Sequence, residues 1–255
     1  MGRNIFSDTH LSFNNTKSCA SCHSPKLAFT DGYRTSITSF GEHLDKNSPT
    51  LLYLKNNHFF NHSDPKITTL DHQHRKPLFS KEPIELGTDS IAFLKYINSS
   101  PRYQNVLSKY TINSVSSMSD VIDYLATYVE SLSLYRSPYD NFLRGDSSSL
   151  NEMQQNGMHL FMSPRLHCIN CHTPPNFTNV NLTTDINKVY PNSHWSNKAN
   201  STNVKVPTLR NIAVTGPYLH NGTLNTMSEV IDKYDNWFRS ANSSYKPLNK
   251  LEKTE

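Results

Sequence analysis

Long apolar runs are missing from this sequence. No stretch approaches the ~18 apolar residues that a membrane-spanning helix requires, and 35% hydrophobic residues with a mean hydropathy of −0.61 make the composition that of a soluble protein. A dominant charge is missing too. Lys and Arg number 25 against 21 Asp and Glu, for a net +4 and a pI near 8.8. The basic residues are scattered, which excludes a nucleic-acid track and leaves an acidic protein partner as the reading of the mild basicity. Strand-like alternation is scarce. The opening residues Met1-Gly2-Arg3-Asn4-Ile5-Phe6 have neither the basic nor the apolar region of a secretory signal.

Cysteine is the informative scarcity. The chain has four, and they form two pairs, Cys19/Cys22 and Cys168/Cys171, each followed at once by a histidine, His23 and His172. No cysteine is left over for a disulfide framework. Two CxxC pairs can build a four-thiolate zinc site, but such pairs usually lie ~15–20 residues apart, and here more than half of the chain separates them. A thioredoxin-like redox motif needs a βαβ context that neither copy has. CxxCH satisfies a third geometry: two thiols add to the two vinyl groups of a haem, and the adjacent imidazole reaches the iron from one side. Two covalently attached c-type haems are therefore expected. Such attachment takes place outside the cytoplasm, so a periplasmic or otherwise extracytoplasmic location is expected, with a sequence trimmed of its signal.

Both halves follow one plan, a short Gly-containing segment with Leu or Phe leading into CxxCH: Gly2–Phe6 before Cys19, and Gly157–Phe161 before Cys168. Stretches 29–49 and 173–205 read as long loops wrapped around something other than a conventional core, and a haem in each half would supply it. Helical spacing predicts helices over 119–134 (Val121, Ile122, Leu125, Val129, Leu132) and 150–161, and a shorter one over 89–97. Another is expected from Thr226, where Thr226-Met227-Ser228-Glu229 fits a capping box. The polar segment 136–149 reads as the crossing between two domains, 1–136 and 137–255. The expected fold is mainly α: two cytochrome c-like haem domains with extensive loops.

With both motifs in place, the sequence resembles the bacterial di-haem cytochrome c peroxidases and the related MauG-type enzymes. The likeness runs through Asn47-Ser48-Pro49-Thr50-Leu51-Leu52, Pro83-Ile84-Glu85-Leu86-Gly87 and Val206-Pro207-Thr208-Leu209-Arg210-Asn211-Ile212. It ends in Thr215-Gly216-Pro217-Tyr218-Leu219-His220-Asn221-Gly222, similar to the family's T-x-P-Y-x-H-x-G signature. Against that pattern a final apolar helix is missing after 248–255, so an incomplete second domain is expected. The resemblance implies that the His23 haem is the peroxidatic one, with Gln73 and Glu85 on its open side. A carboxylate there suits proton transfer between the two oxygens of a peroxide. It implies His43 as a reversible ligand of that haem. Tyr234 falls where the peroxidases place a Met and the MauG-type enzymes a Tyr on the second iron, with Met227 as the alternative. It further implies Ca²⁺ at Asn47, Thr215 and Pro217, and allows a homodimer. The family's Trp between the haems is replaced by Ser63, with Phe59, Phe60 and His62 nearby.

The function expected first is a peroxidase that reduces hydrogen peroxide to water with electrons from a small donor protein, a cytochrome c or a cupredoxin. A MauG-type oxidase that modifies a partner protein is the second reading, towards which Tyr234 leans. A di-haem electron carrier without a substrate pocket is the third.

Overall fold

The computed structural model describes residues 1–55, 57, 58, 60, 61, 64, 66–110, 114–179, 183–185 and 203–254. The architecture is mainly helical with almost no strand among these residues. The helices are α1 (Gly2–Phe6), α2 (Cys19–Cys22), α3 (Leu70–Phe79), α4 (Ser90–Ser99), α5 (Pro101–Lys109), α6 (Met118–Glu130), α7 (Pro138–Leu143), α8 (Glu152–Met162) and α9 (Met227–Ala241). One two-stranded antiparallel ladder pairs β1 (Thr183–Asp185) with β2 (Asn203–Lys205), Thr184 opposite Val204.

The first half has its own core. In α6, Val121, Ile122, Leu125 and Val129 recur at helical spacing and all are buried, and a reciprocal capping box between Ser117 and Asp120 starts the helix. α1 lies directly on α6: a Cβ on Gly2 would sit within 1.9 Å of the Tyr124 carbonyl, so only glycine permits this approach. Tyr103 of α5 is fully buried, and its hydroxyl donates to Asp8 at 2.7 Å, which satisfies both groups inside the core.

The second half is built differently. No residue of α8 is buried, and in α9 only Asp235 is. Yet α9 aligns Met227, Val230, Ile231, Tyr234 and Phe238 along one face, and all five line a cavity, Phe238 also packing on Tyr245. An apolar helical stripe left facing a void costs free energy unless something apolar fills it.

The helix expected over 119–134 is α6, that over 150–161 is α8, that over 89–97 is α4, and that from Thr226 is α9 with its capping box made in both directions. The polar segment expected to be the crossing between domains holds α7, started by Pro138 and a Ser137/Asp140 capping box. Asp140 within this stretch is buried. Ser63, Phe59, His62 and Trp195 lie outside the described residues, as does much of the expected loop 173–205.

Candidate functional site: two CxxCH motifs on one cavity

The first motif is a single helical turn. Ser18 caps it, its backbone N–H returning a bond to Ser21 Oγ at 3.0 Å. One turn places Cys19 and Cys22 three residues apart on the same face. Both thiols are free, and burial pushes them up, Cys19 to about 12 with the charges of Cys22 and Glu85 adding. His23 follows, and its Nδ1 donates to the Phe29 carbonyl at 3.0 Å, which leaves the lone pair of Nε2 for a metal. Burial lowers the pKa of this imidazole, favouring the neutral form that ligation needs.

The second motif repeats the device. Burial pushes Cys168 up to about 11 and also raises Cys171, and His172 Nδ1 donates to the Phe177 carbonyl at 3.0 Å. Both accepting phenylalanines adopt a left-handed backbone, φ +62° at Phe29 and +52° at Phe177, a conformation that costs a non-glycine residue about 1–2 kcal/mol. Each is held by a threonine. Thr50 Oγ1 donates to the Ala28 carbonyl at 2.6 Å, and Thr208 Oγ1 to the Asn176 carbonyl at 2.5 Å. Those threonines belong to Pro49-Thr50-Leu51 and Pro207-Thr208-Leu209, so the internal repeat extends beyond CxxCH into the segment that fixes the imidazole.

Arg210 clamps the second site. Its guanidinium donates to both Asp140 oxygens at 2.8 and 2.9 Å and to the Pro175 carbonyl at 2.7 Å. It also stacks over Tyr135, Tyr53 and Phe177 at 4.8, 5.1 and 5.8 Å. Tyr53 belongs to the first half, so the clamp ties the halves together. Backbone contacts reinforce it: Asn47 N–H donates to the His220 carbonyl at 2.9 Å, and Gly222 (φ +59°) lies so close to Arg34 that a Cβ would stand 2.2 Å from its carbonyl oxygen.

Both motifs open on one continuous cavity of about 1140 Å³, more than the ~300–1,000 Å³ of an ordinary small-molecule pocket. Its walls are mostly apolar, and both imidazoles border it. Among the described residues no three or more His, Cys, Asp or Glu side chains are grouped to hold a metal, so the four thiols do not make a zinc site. A large apolar space bordered by two thiol pairs and two oriented imidazoles fits two haems, one at Cys19, Cys22 and His23 and the other at Cys168, Cys171 and His172.

The same cavity gathers Gln73, Glu85, Tyr234, Met227, Asn47, Thr215 and Pro217. Gln73 Oε1 accepts from Asn61 Nδ2 at 3.1 Å. Glu85 is half-buried, and burial raises its pKa against the opposing charge of Lys76; its carbonyl is pinned by Ser39 N–H and Oγ at 2.9 and 2.8 Å. Asn47 donates its amide to the Tyr33 carbonyl at 2.9 Å, leaving Oδ1 as a hard acceptor. His43 is not brought in. It is exposed outside the cavity, its Nδ1 3.2 Å from Thr35 Oγ1. Two cavity residues escaped the sequence reading. Lys205 is pushed down to about 8 by burial. His74, next to Gln73, is pushed down to about 4 by burial and the charge of His23, and its Nδ1 is buried with no hydrogen-bond partner. The helical spacing from Leu70 would have placed His74 on the same face as Gln73.

Residues 1–148 match the family model for di-haem cytochrome c peroxidases. The chain belongs to that family. As a member of the di-haem cytochrome c peroxidase family it is expected to carry two c-type haems, which agrees with the two bordered sites. It is 26% identical to cytochrome-c peroxidase IdrP2 of Denitromonas iodatirespirans, over 92% of this chain and 72% of that protein. It is equally 26% identical to the methylamine utilization protein MauG of Methylorubrum extorquens, over 92% and 67%. Its fold matches the crystal structure of a MauG-like protein associated with microbial copper homeostasis, with a TM-score of 0.82 and 27% identity, covering 99% of this chain and 85% of that one. The family therefore supports an oxidoreductase, and its peroxidase and MauG members are equally near.

Proposed function

We propose that this protein is a di-haem peroxidase in which residues 1–136 bind and reduce hydrogen peroxide and residues 137–255 receive electrons from a small cytochrome c or cupredoxin. When bound, the haems supply redox-active iron; binding and proton handling fall to the chain. The observation that carries the reading is Glu85, a half-buried carboxyl with a raised pKa, on the same cavity as His23 and Gln73. Cys19 and Cys22 line that cavity with it. The carboxylate accepts a proton from one oxygen of hydrogen peroxide and returns it to the departing one, while Gln73, steadied by Asn61, orients the molecule. Two electrons and two further protons complete reduction to two waters. Lys205, whose charged form is disfavoured by burial, is suited to meet a haem propionate.

Asn47 Oδ1 with the carbonyls of Thr215 and Pro217 would offer Ca²⁺ hard oxygen ligands. Covalent haem attachment at CxxCH supports a periplasmic or otherwise extracytoplasmic location; among the described residues no helix is long and apolar enough to cross a membrane.

The test is steady-state oxidation of a reduced small cytochrome by peroxide. Glu85→Gln is expected to lower turnover by ~10²–10⁴-fold with the haem spectra unchanged; turnover that survives the substitution removes Glu85 from the chemistry. The second reading, a MauG-type oxidase, is favoured by Tyr234 on the cavity face of α9. It predicts that Tyr234→Phe alters the ferric spectrum of the His172 haem, and that peroxide oxidises a partner protein without a cytochrome donor.

A further inference from the structure

Tyr135 stands at the surface end of a chain of contacts that reaches the second imidazole. Its side chain is 41% exposed, just before α7. Exposed side chains ordinarily change rotamer within nanoseconds, but this one is held. Its hydroxyl donates to Asn176 Oδ1 at 2.7 Å, and its ring lies over the Arg210 guanidinium at 4.8 Å and against Tyr53 at 5.2 Å. Asn176 is followed by Phe177, whose carbonyl accepts from His172 Nδ1 at 3.0 Å. From surface to imidazole the route consists of covalent bonds and two hydrogen bonds. Electronic coupling falls off more slowly through such bonds than across empty space, so the route suits electron tunnelling.

The first motif lacks this bridge. Thr50 and Thr208 mark equivalent positions, since they donate to the Ala28 and Asn176 carbonyls respectively. Ala28 offers only a methyl group where Asn176 offers the amide that Tyr135 grips. The surface around Tyr135 is also distinctive. Among the described residues, Leu134 and Tyr135 are the one pair of consecutive large apolar side chains that are both exposed, Leu134 at 68%. The exposed charges between Ser131 and Arg144 are both positive, Arg136 and Arg144, and Arg144 donates to the Tyr135 carbonyl at 3.2 Å. Weak redox encounters bury under about 1,200 Å² in total, so a small apolar spot with a charged rim is enough to seat a partner. Basic charge at the rim selects an acidic one and speeds its approach.

We infer that Tyr135, with Leu134 and the basic rim of Arg136 and Arg144, is the docking and entry port for the electron donor of the His172 haem, a small redox protein with an acidic contact face. This port presupposes that residues 137–255 receive electrons, as proposed above. The donor loses one electron and the ferric iron held by His172 gains it. No bond is made or broken, and Tyr135 conducts the electron without being oxidised.

The test uses the ferric, haem-loaded protein in stopped-flow mixing with reduced plastocyanin, an acidic cupredoxin. The second-order rate at low donor concentration reads docking, and the first-order limit at high concentration reads transfer. Tyr135→Phe keeps the ring and loses the bond to Asn176, so the first-order limit is expected to fall several-fold with docking unchanged. Arg136→Glu is expected to lower the second-order rate about tenfold at low salt, and less as salt rises. Both variants should keep the wild-type haem spectra and the wild-type rate of reduction by dithionite. Either rate unchanged in its variant would overturn the port, as would faster reduction of the wild type by a basic cytochrome c. So would a dimer that Leu134→Ser dissociates, because the patch would then belong to a second copy of the chain. A wild-type protein that takes electrons from neither donor defeats the donor reading itself.

Discussion

Removing the Asp140 carboxylate tests how the second haem site is held. Asp140 and Arg210 are each about 5% exposed, and the pair is bidentate. Asp140 also accepts from Ser137 N–H and Oγ at 2.9 and 2.7 Å. Asp140→Asn keeps the shape but strands a guanidinium among Tyr53, Tyr135 and Phe177. Breaking one side of a buried pair costs about 3–5 kcal/mol, which for a chain of this size is roughly 6–20 °C in melting temperature. Because Arg210 braces Pro175 within the loop that carries Phe177, and Phe177 holds His172, the loss should register at the second haem before global unfolding. Thermal melts of the haem-loaded protein, followed at the haem absorption and by far-ultraviolet circular dichroism, measure both. The pH dependence has a definite sign. The Arg210 guanidinium holds the Asp140 carboxyl well below the usual carboxylate range. Its stabilisation is therefore complete above the unfolded value near 3.8 and is lost as pH falls through the lower folded value; the variant's acid limb should be flatter. Asp140→Leu with Arg210→Met should recover most of the loss, since an apolar replacement strands no charge. A melting shift under about 2 °C in Asp140→Asn would refute the reasoning.

Peroxide turnover should fall as pH drops through the raised pKa of Glu85, with the acid limb above the ordinary value of 4.5, because burial favours the protonated form that cannot accept a proton. A limb at or below that value, in rate profiles of the intact enzyme, contradicts the role. Gly222→Ala should cost about 2–5 kcal/mol through a left-handed backbone and a clash with the Arg34 carbonyl. The matched control Gly41→Ala, also at positive φ but in open space, should cost about 1–2 kcal/mol. Denaturant titrations compare the two.

The elements legible in the sequence were those whose signals are local. Ser117 with Asp120 and Thr226 with Glu229 announce α6 and α9, and CxxCH announces the two thiol pairs and their imidazoles. α3 was not announced, because only Leu70 and Leu78 of it are buried in the apolar core and the inner positions between them, Gln73 and His74, are polar and border the cavity, so hydrophobic periodicity is weak. The helix α7 was hidden by an acidic residue that reads as exposed until Arg210, far along the chain, is seen beside it. Pro49-Thr50-Leu51 and Pro207-Thr208-Leu209 were present in the sequence, but their shared task needs the carbonyls of Ala28 and Asn176 to be visible. His43 lies on the loop where the family resemblance places a ligand, and the structure has it exposed outside the cavity.

The unequal packing of the halves bears on haem loading. Buried apolar residues from Ile5 to Val129 form one cluster, whereas α8 has no buried residue, α9 has only Asp235, and both helices line the shared cavity. A bound porphyrin would therefore supply more of the interior of the carboxy-terminal half than of the amino-terminal half, and the stability of the former should depend more steeply on haem loading.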